Sequence, residues 1–226
     1  MILQIETATT VCSVALAQDG NVLAYKEINV RNVHAEVITV FIEELFKVTG
    51  KHYHDLDAIA VSCGPGSYTG LRIGISTAKG LCFALDKPLI AIETLEAMVY
   101  GLIGQGEIDN NILLCPMIDA RRMEVYTALF DGLGNRISPT SAVIVDENSF
   151  SDMLKSNKII FFGDGADKCE ETLGAIENAK FLKNFTTSAR SLTKRALEKY
   201  EQKSFEDVAY FEPYYLKDFI AGKKAV

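Results

Sequence analysis

Residues 2–29, ILQIETATTVCSVALAQDGNVLAYKEIN, form the stretch that decides how this chain folds. Its apolar and β-branched residues fall into three runs, at 2–6, 12–18 and 22–29, and each run has the length and composition of a β-strand. Asp19-Gly20, between the second and third runs, is a dipeptide typical of a two-residue hairpin turn. The stretch therefore predicts an antiparallel meander of three strands.

After the meander, helical and strand patterns alternate. Apolar residues at three- and four-residue spacing predict a helix over 34–48, with Gly50 as its stop. Strands are predicted at 57–62 and 88–92, and further helices at 68–85 and 94–104. The order of three antiparallel strands, helix, strand, helix, strand is that of a ribonuclease-H-like lobe.

The second half of the sequence echoes the first. Segments 118–121, 126–129 and 131–135 resemble segments 5–8, 13–16 and 19–21. A helix over 147–156, a strand over 158–162 and a helix over 188–200 are predicted to follow. We therefore predict an α/β chain with the actin-like ATPase fold. Its two ribonuclease-H-like lobes would span residues 1–104 and 105–226, with the option that the last helix packs back on the first lobe.

The composition is that of a soluble globular protein, with 48% hydrophobic and 23% charged residues among 226. No apolar stretch reaches the ~18 residues of a spanning helix, and no signal peptide follows Met1, so a cytoplasmic location without membrane contact is predicted. Five cysteines without a CxxC pair predict buried, reduced thiols. A net charge of −7 argues against direct binding of nucleic acid by this chain alone.

The glycine-rich turn at 64–70, GPGSYTG, lies between a predicted strand and a predicted helix. Backbone amides at such a helix start could hold an anion. The turn lacks the Gly-Lys-Ser/Thr ending of a P-loop, and its third glycine is Gly70 where a dinucleotide fingerprint would need one at Thr69. The alternative interpretation is that Gly66 and Gly70 permit a sharp turn and close packing of the helix.

Three motifs together resemble the TsaB family, also called YeaZ: GPGSYTGLRIG at 64–74, IETATT at 5–10 and DARRMEVY at 119–126. The resemblance covers nearly the whole chain. It implies an actin-like fold, a cytoplasmic location and a role in installing threonylcarbamoyl on the adenosine beside the anticodon of tRNA. It also implies that a TsaD-like transferase performs the transfer, that a TsaE-like ATPase supplies ATP hydrolysis, and that the TsaB-like protein holds the complex together.

The resemblance also bears on metal binding. The TsaD-like relatives carry two histidines four residues apart at the start of the helix that matches 94–104, a spacing that puts both rings on one helix face. Thr94 and Met98 occupy the matching positions here, so no metal and no cofactor are expected. His34, His52 and His54 are interpreted as surface or helix-capping residues.

Two groups of charged residues remain as candidates for a catalytic role. Asp119, Arg121 and Glu124 form a compact charged cluster at the start of the second lobe, where actin-like ATPases often place catalytic carboxylates. The spacing of Arg121 and Glu124 also suits a structural ion pair across a turn. Glu6 stands after the first strand, near the phosphate position of related kinases, but it also suits a cap at the end of that strand.

The predicted function is that of a non-catalytic scaffold subunit in tRNA modification, with tRNA contacted only indirectly through the complex. One alternative is an ATP-dependent small-molecule kinase of the same fold, for which Gly163-Asp164-Gly165 would have to serve as the adenine-side glycine pair. The other is a glycoprotease-like metallopeptidase, which would need the histidine pair that is missing.

The predicted partner surface lies on the first two helices. Apolar residues of the 34–48 helix spread over more than the ~100° stripe that one core-facing side requires. Part of the apolar surface of this helix is therefore available to a partner. Small residues at four-residue steps in the 68–85 helix suggest a groove for another helix. The resemblance implies pairing with TsaD here, and self-pairing when TsaD is absent. The predicted interface residues are Val37, Phe41, Leu45, Leu71, Gly74, Ile75 and Ala78.

Overall fold

The computed structural model describes residues 1–106 and 108–217; the predicted second lobe runs on to 226, and its last nine positions lie outside the described residues. The first sheet has the strand order β3-β2-β1-β4-β5. Its strands are β1 Ile2–Glu6, β2 Val11–Gln18, β3 Asn21–Asn29, β4 Ala58–Ser62 and β5 Leu89–Ile92. The first three pair antiparallel, while β4 lies parallel to β1 and β5 parallel to β4. The predicted meander and the two later strands are confirmed.

The helices of the first half are α1 His34–Thr49, α2 Tyr68–Leu85 and α3 Thr94–Ile103. Asp19 and Gly20 have φ of 51° and 78°, the positive values that a hairpin turn of this type requires. Gly50 ends α1 in the left-handed conformation, with φ of 65°. The turn and stop signals of the sequence are therefore confirmed.

The second sheet repeats the topology of the first, in the order β8-β7-β6-β9-β10. Its strands are β6 Ile112–Asp119, β7 Glu124–Thr127, β8 Ser141–Ile144, β9 Lys158–Phe162 and β10 Ala179–Leu182. β6, β7 and β8 pair antiparallel, and β9 and β10 continue the sheet in parallel on the other side of β6. The predicted duplication of an α/β lobe is confirmed, and with it the actin-like fold.

The helices of the second half differ from the prediction. α4 Ser151–Ser156 begins four residues after the predicted start because Asp146 accepts hydrogen bonds from the Asn148 amide and the Ser149 hydroxyl, which form a turn instead. Short helix α5 Glu170–Leu173 and strand β10 were not predicted. The predicted 188–200 helix begins as a 3-10 turn, Ala189–Leu192, and continues as α6 Thr193–Glu201.

Packing joins the two halves through α3 and α6. Helices α1 and α2 cover one face of the first sheet. The other face is covered by residues from the end of the chain, Ala189, Leu192 and Ala196. Between the two sheets lies α3, whose Ala97 packs on the first sheet and whose Met98 and Leu102 pack on the second. The division at residue 104 stays a prediction. Of the helices described, none is long and apolar enough to cross a membrane.

Candidate functional site

A narrow cleft opens where the two halves meet, and its volume is about 40 Å³. Pockets that bind drug-sized ligands usually measure ~300 Å³ or more. The loop between β1 and β2 forms one wall, and the residues after β9 and before α6 form the other. The lining residues are Thr9, Thr10, Val11, Asn29, Met98, Gly163, Asp164, Phe185, Thr186 and Thr187.

Protein side chains fill most of this cleft. The hydroxyls of Thr9 and Thr187 share a hydrogen bond of 2.7 Å across it. The side chain of Met98 is buried, and its terminal methyl lies so close to Gly163 that a Cβ there would collide with it. The glycines of the 163–165 segment therefore serve the close approach of this loop to Met98 and to the end of β6, where Gly165 lies against Ile118.

The positions that match the histidine pair lie inside the protein. Thr94 and Met98 are 0% and 1% exposed. Within residues 1–106 and 108–217, no three His, Cys, Asp or Glu side chains come together as a metal site. His52 and His54 are exposed as predicted, but the surface or capping role predicted for His34 was wrong. His34 is buried, and a contact of 3.1 Å between its Nε2 and the carbonyl oxygen of Thr9 satisfies the ring there.

The glycine-rich turn serves packing. Its Gly64-Pro65 peptide is cis. A Cβ at Gly66 or Gly70 would collide with the backbone oxygens of Ala8 and Thr7, and one at Gly74 would collide with the Thr7 hydroxyl. The Ser67 amide donates to the Ala8 carbonyl at 2.7 Å, and the Ser67 hydroxyl caps the Gly70 amide. The start of α2 is thus pressed against the end of β1, which confirms the packing interpretation.

Glu6 ends β1 as a buried carboxylate, 1% exposed. Its Oε1 accepts a hydrogen bond of 2.6 Å from the Ala8 amide, so the predicted capping role is confirmed. Burial raises the pKa of Glu6 to about 7. A hydrogen bond from Ser62 lowers the pKa of Glu6 by less than burial raises it, and the buried hydroxyls of Thr7 and Thr94 have no hydrogen-bond partner among the described residues. This is the most polar part of the first core.

The charged cluster of the second half has different partners from those predicted. Asp119 forms an ion pair with Lys168 and accepts a hydrogen bond from the Arg121 amide. The carboxylate of Glu124 pairs with Lys217 at 2.5 Å, so the predicted ion pair with Arg121 was wrong. The turn explains this, because Arg121 and Arg122 both have positive φ, of 71° and 49°. Within the described residues, the cluster is held together by lysines.

Most of the predicted interface residues point into the chain's own core. Leu45, Leu71, Ile75 and Ala78 are buried in the core between α1, α2 and the first sheet. Gly74 faces Thr7. These five are buried within the chain itself, because β1 already occupies the small-residue stripe of α2, and their role in a partner interface stays a prediction. A Gly74→Leu variant would therefore damage the fold instead of testing an interface.

The remaining two predicted residues are half-buried. Val37 and Phe41 pack at the margin of the same core. Glu44, one turn after Phe41, pairs with Lys26 of β3, so this side of α1 faces the edge strand.

The opposite face of α2 is the one left open. Phe83 is 86% exposed, and a Cβ at Gly80 would meet nothing within 4 Å. Ser76, one turn before Gly80, is also exposed. On α1, Val40 and Val48 add exposed apolar surface. Sequence reasoning missed this face, although Ser76 and Gly80 are small residues at four-residue spacing with a large aromatic beside them.

All five cysteines are buried free thiols, as predicted. Burial raises the pKa of Cys12 to about 11 and of Cys115 to about 12. These thiols are therefore weak nucleophiles at neutral pH.

Comparison with known proteins gives consistent results. The family model described as "TsaD: tRNA N6-adenosine threonylcarbamoyltransferase" matches residues 27–221. The chain is 32% identical to the tRNA threonylcarbamoyladenosine biosynthesis protein TsaB of Escherichia coli K12, over 99% of this chain and 97% of that protein. It is 41% identical to a Clostridium perfringens tRNA N6-adenosine threonylcarbamoyltransferase, but over only 38% of this chain and 24% of that one. The solved structure of YeaZ from Pseudomonas aeruginosa superposes with a TM-score of 0.77 at 24% identity, covering 95% and 99% of the two chains.

Proposed function

Because the chain belongs to the TsaB family of tRNA threonylcarbamoyladenosine biosynthesis proteins, we propose that it acts there as a non-catalytic subunit that binds a TsaD-like transferase. The observation that carries this proposal is the open outer face of α1 and α2. Phe83 on this face is 86% exposed, and contiguous exposed apolar surface is where protein partners bind.

The shape of this face suits a partner helix. Ser76 and Gly80 lie four residues apart on the outer side of α2, and small residues let another helix axis approach closely. Phe83 stands one turn further on as an anchor, and Val40 and Val48 are exposed apolar residues on α1. Two helices from each partner would bury on the order of 1,600 Å², enough for specific association.

The cleft supports a non-catalytic role. Its small volume and its crossing by Thr9 and Thr187 leave little room for a nucleotide. The buried Thr94 and Met98 offer no imidazole to a metal ion. Our proposal therefore includes no cofactor and no catalytic residue.

The other partners follow from the same face. A second copy of this chain would occupy the face when the transferase is absent, and a TsaE-like ATPase would join the assembled pair. With a net charge of −7, this chain would meet tRNA only through the complex, in the cytoplasm.

Sedimentation with the TsaD-like protein of the same cell tests this proposal. Phe83→Glu and Gly80→Leu should each weaken the complex and the homodimer by about tenfold or more, because one removes an anchor and the other fills the path of a helix. Ile144→Glu is the matched control, since Ile144 is 72% exposed on β8 in the second half. Wild-type affinity in both α2 variants would refute the proposed interface. Loss of binding in Ile144→Glu would place the interface elsewhere.

A further inference from the structure

The chain after α6 continues as a strap, here residues 204–217, that has no helix or strand of its own. Its first attachment is to the edge of the first sheet. The Glu206 amide donates a hydrogen bond of 2.9 Å to the carbonyl of Leu89 in β5. Further along, Val208 and Phe211 pack against the core between α1, α2 and that sheet. The strap thus begins as a covering of the first lobe.

The middle of the strap is tied to α2. The ammonium of Lys79 donates to the carbonyls of Phe211 and Ala209, at 2.9 and 3.3 Å. The Tyr214 amide donates at 2.8 Å to the carbonyl of Cys63, just before the glycine-rich turn. A Cβ at Gly64 would lie 2.6 Å from the Tyr214 oxygen, so the turn is shaped to admit the strap.

The end of the strap leaves the first lobe and reaches the second. The Tyr215 ring lies against Tyr68 of α2, with ring centroids 4.9 Å apart. Two residues later, Lys217 pairs with Glu124 at the start of β7. Glu124 is itself held from the other side, because its carbonyl accepts a hydrogen bond from Lys168. The strap therefore links α2 of the first lobe to the turn between β6 and β7 of the second.

This link adds a polar tie to the apolar contacts between the lobes. The lobes meet through α3, which packs on both sheets, and through residues 189–196, which cover one face of the first sheet. Apolar burial is non-directional, so it resists separation of the lobes more than it resists rotation about the helix. Polar ties at the periphery set the angle, and Arg136–Glu93 and Lys217–Glu124 are two of them.

We propose that the strap is a releasable clasp that fixes the angle between the two lobes, with the Lys217–Glu124 ion pair as its latch. Because the strap has no regular structure, it can detach without unfolding either lobe. Its ties to Lys79 and Tyr68 mean that its release would also free the side of α2. The clasp stands independently of the proposed transferase partner.

A distance measurement between the lobes tests the clasp in the full chain. Spin labels would be placed at Glu36→Cys on α1 and Asp152→Cys on α4, both exposed positions in different lobes. The five native thiols are buried, so brief labelling at neutral pH spares them. Lys217→Glu should broaden the distance distribution because it places two carboxylates at the latch. Lys217→Arg should preserve the wild-type distribution.

Two further variants make the result decisive. Lys183→Ala breaks an exposed ion pair with Glu170 inside the second lobe and should change nothing. Tyr215→Ala combined with Lys217→Glu should broaden the distribution further. An unchanged distribution in both the single and the double latch variant would overturn the proposal, as would equal broadening in Lys183→Ala.

Hydrogen exchange gives an independent readout. The Tyr214 amide should exchange about two- to fivefold faster in Lys217→Glu, the factor that corresponds to the loss of a partly exposed ion pair. Amides of β1 and β6 should keep wild-type rates, since both lobes stay folded. Wild-type exchange at Tyr214 would show that Lys217 does not hold the strap and would overturn its role as the latch.

Discussion

The two lobes share one strand order but differ in their helices. In the first lobe, α1 and α2 run for 16 and 18 residues. In the second, α4 and α5 have 6 and 4 residues. Both sheets have the same strand order although their helices differ greatly in length. The strand order is therefore enough to define the lobe. Helix length instead determines whether a lobe offers a long outer face, and among the described helices this is found in the first lobe.

The corresponding acids of the two lobes also differ. Glu6 ends β1 in a buried place, whereas Asp119 ends β6 at the surface beside Lys168. Burial raises the pKa of Glu6 to about 7, while Asp119 keeps water and a cation as neighbours. The same position in a duplicated fold thus carries a buried acid with a raised pKa in one copy and an exposed, ion-paired acid in the other.

The largest effect is expected where α2 meets β1, the close contact that distinguishes the first lobe. Gly74→Leu should lower the free energy of unfolding by about 3 kcal/mol or more, since its side chain would collide with Thr7. Urea unfolding measures the change. Gly80→Leu on the open face of the same helix is the control and should lose no stability. A stable Gly74→Leu protein would show that the two faces of α2 are not different in this way.

A smaller, pH-dependent change in stability should distinguish Glu6 from Asp119. Because the pKa of Glu6 is raised in the folded protein, folding favours its protonated form. The contribution of Glu6 to the free energy of unfolding is therefore fully present below pH ~4.5 and is lost as the pH rises through about 7. At pH 8, Glu6→Gln should be more stable than wild type by about 3 kcal/mol, and at pH 4 the two should agree. Asp119→Asn should change stability by less than about 1 kcal/mol at either pH. Thermal unfolding at both pH values measures this, and a Glu6→Gln benefit at pH 4 would contradict it.

The smallest effect concerns Gly80. Gly80→Ala should stabilise the chain by about 0.5–1 kcal/mol, because alanine favours the helix and its methyl meets open space. Chemical denaturation of the isolated monomer measures the gain. A loss of stability would mean that the outer face of α2 is already covered within the chain.

The fold could be predicted from the sequence because its turn, helix-stop and strand patterns are local and strong. Asp19-Gly20 and Gly50 mark a turn and a helix end by backbone conformations that few other residues adopt. Strands β2 and β4 are mostly apolar. The second half was harder, since β10 has four residues and only one of them, Ala179, is buried. Its pattern is too short and too mixed to separate from a loop.

The interface could not be predicted to the same depth. An apolar arc on a helix indicates that its residues are buried. It does not indicate whether the chain's own sheet or a partner covers them. Gly74 and Gly80 are alike in sequence, and only the position of Thr7 distinguishes them. His34 was misjudged for the same reason, because its partner Thr9 lies on a strand connection far from it along the chain.

The covering of the first sheet by α6 has a consequence for synthesis on the ribosome. Residues 1–104 are synthesised well before Ala189, Leu192 and Ala196, which close one face of their sheet. Until then, Ile2, Ile90 and their neighbours remain open to water, and α3 has no second sheet to pack on. Since exposed apolar strands invite aggregation, the first lobe alone should aggregate more readily than the full chain.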